Sequence, residues 1–495
     1  MNDAKNLKKH LWTALLVGMS LRLLSIYFVW GPQALDDYLD NIYPAWRNTI
    51  GIDPGLHDYR SPFYMWILSF WLKFGSVLGV DHGISQIRWI YFLQALVSML
   101  GILGVYLITR RSKNSLVPII SMYLVAMHGL MPFASTRSFM ESFVMGPVTF
   151  AFALLVLGSG DRNSRKDPDF VSHSSTKIFL GFVILGLSSL LRFQVGLIYV
   201  AWLGMFIYEK NWKSFWIGFM FGWCLVAMEA GLDMAYGRKA FDTLRAYIEF
   251  NSDQEKSVRM PWYNTWLTFL GFLFFPFALA MGRQWLDSIR RYWRVFVPMI
   301  FYVVIHSINP HKEERYMYPV VPLSFLFLAD AWTHSLDSKW VRWIFQPVFV
   351  TINTLALAGF CFINSQVGFV GPFGDIESRA TNVLYLDYDE FPMRQWASEF
   401  FMRDHSRWQQ SQLPFNVDQA MAAIADSNIH SVALLFSEAD GINTAVSARE
   451  ALSKNLKCDD IISAGSISDK VLYRMNPEFN KRRRATLYFL CEKPT

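Results

Sequence analysis

The sequence predicts a mainly α-helical fold: a polytopic bundle of transmembrane helices followed by a small soluble α/β domain. Three observations carry the prediction. Of the 495 residues, 53% are hydrophobic and only 17% are charged, where a soluble chain carries about 25% charged residues. Apolar windows of about 20 residues, the length that crosses a bilayer, recur from residue 11 to residue 363. Beyond that point the composition becomes that of a soluble protein. The expected domains are therefore a membrane domain over 1–363, with a long outer loop at 31–87, and a soluble domain over 364–495.

Eleven spans are expected, at 11–30, 88–108, 116–134, 139–158, 177–191, 193–208, 214–235, 261–282, 294–308, 316–334 and 344–363. The first follows "KNLKKH" without a small-residue cleavage site and reads as a retained signal anchor. With the N-terminus inside, the inner loops hold Lys5/Lys8/Lys9, Arg110/Arg111/Lys113, Arg162/Arg165/Lys166, Lys210/Lys213, Arg283/Arg290/Arg291/Arg294 and Lys339/Arg342. Every inner loop is then basic, as the positive-inside rule requires. This holds only if the run at 61–80, interrupted by Lys73, lies along the interface rather than crossing. The net charge of +6 is spread over these loops, so a nucleic-acid partner is not expected: no dense basic patch with interleaved aromatics is present. Cys224, Cys361, Cys458 and Cys491 show no metal-ligand spacing. Cys458 and Cys491 are either a pair in an oxidising compartment or two free thiols.

In this topology the unusual polar residues gather on the outer face. Asp36 and Asp37 follow the first span; such a pair either supplies a general base at the membrane surface or caps a short helix. Arg60 precedes Ser61-Pro62 at the end of the same loop. Arg137, with Glu141 one turn on, sits at an outer helix boundary, where an arginine either binds an anion or snorkels to the headgroups. Arg192 lies in a tight outer turn with the same two options. Glu229 and Asp233, four residues apart on one helix face, and Arg22 are intramembrane charges; these face a bundle interior or pair with one another. The richest stretch is "NPHKEERYMYP" (309–319), whose His311, Lys312, Glu313, Glu314 and Arg315 sit between two apolar runs. Lys312 and Arg315 suit phosphate oxygens, while the glutamates could orient the cations. Composition alone favours reading the stretch as a charged, solvated hairpin.

The nine residues "HKEERYMYP" resemble the HKEER-[FY]-x-x-P signature of the polyprenyl-phosphate-mannose-dependent mannosyltransferases, glycosyltransferase family 22. That family includes the α-mannosyltransferases of GPI-anchor and N-glycan assembly. The resemblance covers roughly residues 10–335. Asp36-Asp37 stand where the family has the acidic pair of His-Pro-Asp-Glu, with Ala34-Leu35 replacing His-Pro and Asp37 replacing Glu. Arg60-Ser61 ends the first loop, "TRSFMESF" (136–143) resembles a Ser/Thr-Arg-Thr segment, and "LRFQVG" (191–196) stands where many members have Arg-Pro-Thr. The resemblance implies a GT-C-type glycosyltransferase that moves mannose from a polyprenyl-phosphate donor to a hydroxyl of a glycan or glycolipid, with inversion. A phosphate leaving group needs no general acid, so one carboxylate base suffices. The resemblance implies Asp36 as that base, then Asp37. It implies His311, Lys312, Arg315, Arg137 and Arg192 as donor-phosphate ligands, with Glu313, Glu314, Arg60, Glu229 and Asp233 in support. No cofactor and no dedicated metal site are expected. The membrane is a bacterial plasma membrane or the endoplasmic reticulum, with the site and the C-terminus on its non-cytoplasmic side.

In the soluble segment, 430–437, 470–476 and 485–492 read as strands and 417–428 as a helix capped by Asn416. The basic run at 480–487 suits either anionic headgroups or solvent. Two other readings compete: a protein O-mannosyl- or aminoarabinose-transferase-like enzyme, which would lack the HKEER motif, and a lipid-sugar transporter, which would show internal repeats.

Overall fold

A computed structural model describes residues 2–29, 38–81, 83–160, 173–252, 260–309, 311–362, 367–388, 399–402, 407–411, 415–425, 428–475 and 485–493. Asp36, Asp37 and the basic residues 481–484 lie outside the described residues. The chain divides into two compact units. One comprises Met1–Ile26, Asp53–Leu68 and Tyr91–Phe362; the other comprises Tyr27–Ile52, Ser69–Ile90 and Ile363–Thr495.

The first unit is helical. Among the described residues, Lys5–Tyr27, Gly83–Thr109, Met140–Ser159, Trp212–Ala235 and Val341–Cys361 are long and apolar enough to cross a bilayer. Leu116–Met127, Ser175–Leu191, Phe193–Tyr208 and Trp293–Ile308 are shorter apolar helices. The stretches expected at 261–282 and 316–334 hold helices of only 10 and 13 residues, Tyr263–Phe272 and Val321–Thr333. The first of these gives way to a tight turn at Phe277–Met281, after Pro276, which cannot donate to a continuing helix. Elsewhere the ends are set by local chemistry. Ser174 and Asn211 accept the N–H groups of Lys177 and Ser214 at the starts of Ser175–Leu191 and Trp212–Ala235. Gly160, at φ +66°, closes Met140–Ser159.

Small residues set the closest helix crossing. A Cβ on Gly104 would stand 2.8 Å from the Thr149 carbonyl, and one on Gly146 would stand 2.3 Å from the Val97 carbonyl oxygen. Only glycine lets Gly83–Thr109 and Met140–Ser159 approach backbone to backbone, the usual device of membrane helices that lack a hydrophobic drive to associate. This crossing fixes the helix whose first turn bears Glu141.

The second unit carries a six-stranded sheet: β1 (Val383–Asp387), β2 (Arg407–Gln410), β3 (Ser431–Ser437), β4 (Lys457–Cys458), β5 (Ile462–Ala464) and β6 (Thr486–Glu492). The order is β2-β1-β3-β6-β4, with β5 also on β6. β1 pairs in parallel with β2 and β3, and the remaining pairings are antiparallel. Every residue of β1 and β3 is buried, the pattern of strands covered on both faces. Leu434, Phe436 and Phe489 pack with Ala445, Ala448 and Leu452 of the Glu438–Leu452 helix. The Val417–Ile424 helix follows Asn416, whose Oδ1 accepts the Asp418 N–H at 2.9 Å.

One expected strand is corrected. Residues 470–475 fall in the helix Ile467–Met475, not a strand. Ser466 accepts the Asp469 N–H at 3.0 Å and donates to the Asp469 carboxylate at 2.9 Å. That reciprocal cap starts a helix and overrides the β-preference of Val471, Leu472 and Tyr473. A disulfide joins Cys458 to Cys491, across the β4–β6 pair.

Candidate active site

The strongest concentration of buried charge in the first unit lies where three helix ends meet. Met140–Ser159 begins with Glu141 in its first turn, where the positive end of the helix dipole favours a carboxylate. Arg192 follows the last residue of Ser175–Leu191, in extended conformation. The two meet at 2.8 Å with only 6% and 4% of their side chains exposed. Such a pair survives burial only when its other groups are also satisfied. Arg192 Nε donates to Gln194 at 2.9 Å, and the guanidinium lies over the rings of Tyr316 and Tyr247 at 5.2 and 5.8 Å.

The NPHKEER stretch runs from the C-terminal end of Trp293–Ile308 into a tight turn, Glu314–Val320, before Val321–Thr333. Its fold is specified locally. Asn309 Oδ1 accepts the His311 N–H at 3.0 Å, the turn geometry asparagine favours. Tyr302 donates to the Tyr316 carbonyl at 2.7 Å. Glu313 is the hub: it meets His311 Nε2 at 3.0 Å and pairs with Arg315. Burial pushes the Glu313 carboxyl up, but His311 and Arg315 outweigh it and hold it down at about 2. For Arg315, burial works against the charge; Glu141 and Glu313 more than offset it, so its pKa is raised. The Arg315 guanidinium also lies over the Phe139 ring at 4.7 Å.

The remaining expected site residues divide. Arg137 is 1% exposed, donates to Thr136 Oγ1 at 2.9 Å and lies over Phe133 and Tyr91 at 4.8 and 5.4 Å. Burial raises the pKa of Tyr247, against the opposing charges of Arg192 and Arg60. Lys312 points elsewhere: its ammonium donates to the carbonyls of Asn309 and Met260, the latter at 3.2 Å, and burial lowers its pKa. Glu314 is exposed. Asp233 is a structural acceptor, holding the hydroxyl and the N–H (3.1 Å) of Thr243 at the start of Asp242–Ser252. Glu229 is buried, with neither oxygen hydrogen-bonded among the described residues. Arg22 pairs with neither acid. It donates to Ser98 at 2.8 Å and to the carbonyls of Gly18, Ala126 and Val125, so of the two options open to it, interior packing holds and pairing with Glu229 or Asp233 does not.

Several residues of the site escape the sequence reading. His306 is buried, with Nδ1 donating to the Tyr302 carbonyl at 2.8 Å and Nε2 without a partner among the described residues. Its ring lies 4.0 Å from Tyr302 and 6.1 Å from Tyr316. Arg238 donates to the carbonyls of Leu56, His57, Asp58 and Arg60, fixing the loop that presents Arg60. Chemically, the arrangement is a set of fixed, permanently charged guanidiniums backed by aromatic faces and balanced by two glutamates. Such a set stabilises negative charge that develops on a phosphate without reorganising.

The fold is of the GT-C type. Over 96% of this chain and 97% of the other, it superposes on ArnT from Cupriavidus metallidurans bound to undecaprenyl phosphate, with a TM-score of 0.57 at 11% identity. The apo state of the same protein gives 0.57 at 12% identity. The chain belongs to the Alg9-like mannosyltransferase family, whose sequence profile matches residues 57–378. It is 29% identical to human alpha-1,2-mannosyltransferase ALG9 over 183 residues, 31% of this chain and 29% of that one. Against mouse ALG9 it is 39% identical over 71 residues, 13% of this chain and 11% of that one. The matched stretches thus span less than a third of either relative.

Proposed function

We propose that the protein transfers mannose, with inversion, from a polyprenyl-phosphate-mannose donor to a hydroxyl of a glycan or glycolipid acceptor. The observation that carries this reading is the buried Arg192–Glu141 pair roofed by Tyr247 and Tyr316, beside the Arg315–Glu313–His311 triad. Arg192 and Arg315 hold the donor phosphate, Arg137 and Arg60 add positive potential, and Glu141 and Glu313 fix the guanidiniums in place. As the sugar C1–O bond breaks, its electron pair passes to the phosphate, where the guanidiniums stabilise it. The acceptor oxygen bonds C1 from the opposite face, and its proton passes to a carboxylate, Asp36 by the family resemblance and Asp37 next. Lys312 keeps the HKEER loop in shape, with two of its three donors on the carbonyls of Met260 and Asn309.

The reading includes eleven spans, a soluble C-terminal α/β domain, and both the site and that domain on the non-cytoplasmic side. The Cys458–Cys491 disulfide supports this orientation, because such bonds persist in oxidising compartments.

The test is transfer of labelled mannose from polyprenyl-phosphate-mannose to a panel of mannose-terminated acceptors by the purified chain. Arg192→Lys keeps the charge but loses the planar fork, and is expected to lower kcat by about 10²–10³-fold, the scale of one lost charge-stabilising donor. Absence of transfer to every acceptor, or transfer of aminoarabinose in place of mannose, overturns the reading.

A further inference from the structure

The second unit contains a cavity of about 1050 Å³, and we infer that it is a binding site for a neutral oligosaccharide, the acceptor glycan of the transfer proposed above. The inference rests on that reading for the word acceptor, but the cavity itself points to a sugar. Its volume stands at the top of the range of about 300–1,000 Å³ for ligand pockets, room for several pyranose rings rather than one small molecule.

The wall is aromatic and ordered by its own packing. Trp46 stacks on Tyr43 at 5.9 Å and meets the edge of Phe400 at 5.5 Å, and Tyr27 and Phe28 line the same space. Tyr27 is 67% exposed, with the Arg88 guanidinium over one part of its ring at 5.8 Å. The electron-rich face of a ring attracts the positive C–H edge of a pyranose. Aromatic platforms beside hydrogen-bonding side chains therefore suit a carbohydrate, which is apolar on one face and polar around its rim.

Charge decides between a sugar and a lipid phosphate. The described lining holds three carboxylates, Asp81, Glu377 and Glu399, against one cation, Arg88. Arg88 is already committed: it donates to the carbonyls of Tyr27 and Val29 at 2.8 and 3.2 Å. An incoming phosphate would meet three like charges in the described lining against the one cation Arg88, which two backbone carbonyls hold in place. Hydroxyl groups, by contrast, donate to carboxylates, which only accept. Two of the acids are pre-set for this: the Tyr43 hydroxyl donates to Glu399, and Tyr385 donates to Glu377 at 2.8 Å, so each carboxylate is fixed in place. The lining is thus the inverse of the arginine cluster in the first unit, cation-poor where that one is cation-rich.

The experiment is direct binding of a neutral mannose-terminated oligosaccharide to the full chain in lipid nanodiscs, by saturation-transfer NMR, alongside acceptor and donor KM. Trp46→Ala and the isosteric Glu399→Gln should each raise the oligosaccharide Kd and acceptor KM by about tenfold while leaving donor KM unchanged, and Trp46→Phe should stay near wild type. Unchanged Kd in both of the first two variants overturns the site. So does displacement of the sugar by polyprenyl phosphate alone, or preferential binding of an amino sugar. If the wild type transfers no mannose yet binds the oligosaccharide through Trp46, the site stands and the transfer reading fails. If transfer is normal and acceptor KM ignores Trp46, the site fails alone.

Discussion

Glu141 illustrates how a single residue carries structure and chemistry together. Its carboxylate is at once the counter-charge of Arg192 and a favourable anion at the start of Met140–Ser159. Removing one partner of a buried ion pair strands the other charge. Glu141→Ala is therefore expected to cost about 3–5 kcal/mol, read from denaturant titration in detergent, and Glu141→Gln less; equal stability of wild type and Ala variant would refute the pairing. Glu313 gives a pH prediction. Its folded pKa, about 2, is depressed below the ordinary 4.5. Its stabilising contribution is thus fully present above about 4.5 and is lost as pH falls towards about 2. Glu313→Gln should lower the thermal midpoint at pH 7, and the difference from wild type should shrink between pH 4.5 and pH 3. A difference that instead grows on acidification would contradict the His311–Glu313–Arg315 triad. The sequence exposed Arg192, Arg315 and His311, since charge among apolar residues stands out. It missed Arg192's dependence on Glu141, because a pairing across 51 positions leaves no local signature. Tyr302 and His306 stood out in no sequence reading, since their roles come from what surrounds them.

At the scale of elements, the crossing of Gly83–Thr109 with Met140–Ser159 depends on having no Cβ at Gly146, where one would stand 2.3 Å from the Val97 carbonyl oxygen. Backbone cannot yield as a flexible side chain can. Gly146→Ala should destabilise the protein by about 1–3 kcal/mol, the range of overpacking, and shift the helix that carries Glu141. Gly271→Ala, with nothing within 4 Å of its Cβ position, is the control. A Gly146→Ala melt indistinguishable from that control would remove the close crossing. The elements legible in the sequence were those with strong periodicity or unbroken apolar runs, such as Met140–Ser159 and the buried strand Ser431–Ser437. β2, β4 and β5, of two to four residues each, are too short to carry a pattern. Ile467–Met475 shows the opposite failure: a strand-like run became a helix because Ser466 and Asp469 cap it.

For the whole molecule, the membrane orientation is the property on which the proposed chemistry turns. In a chain with Cys224 and Cys361 replaced by serine, Asp58→Cys, at a position whose side chain is 87% exposed, should react with an impermeant thiol reagent from the non-cytoplasmic side. Lys113→Cys should react only after the membrane is opened. Reversed labelling would overturn the outer-face site. By itself the sequence determined the membrane class and the HKEER family signature, because bilayer thickness, charge cost and a contiguous motif are all written along the chain. Only the tertiary structure decided that Arg192 is neutralised by Glu141, that the Lys312 ammonium donates to the carbonyls of Asn309 and Met260, that Cys458 bonds Cys491, and that an acidic, aromatic cavity forms in the second unit. Each of those depends on residues distant in sequence meeting at contact distance, and composition and periodicity hold no record of such meetings.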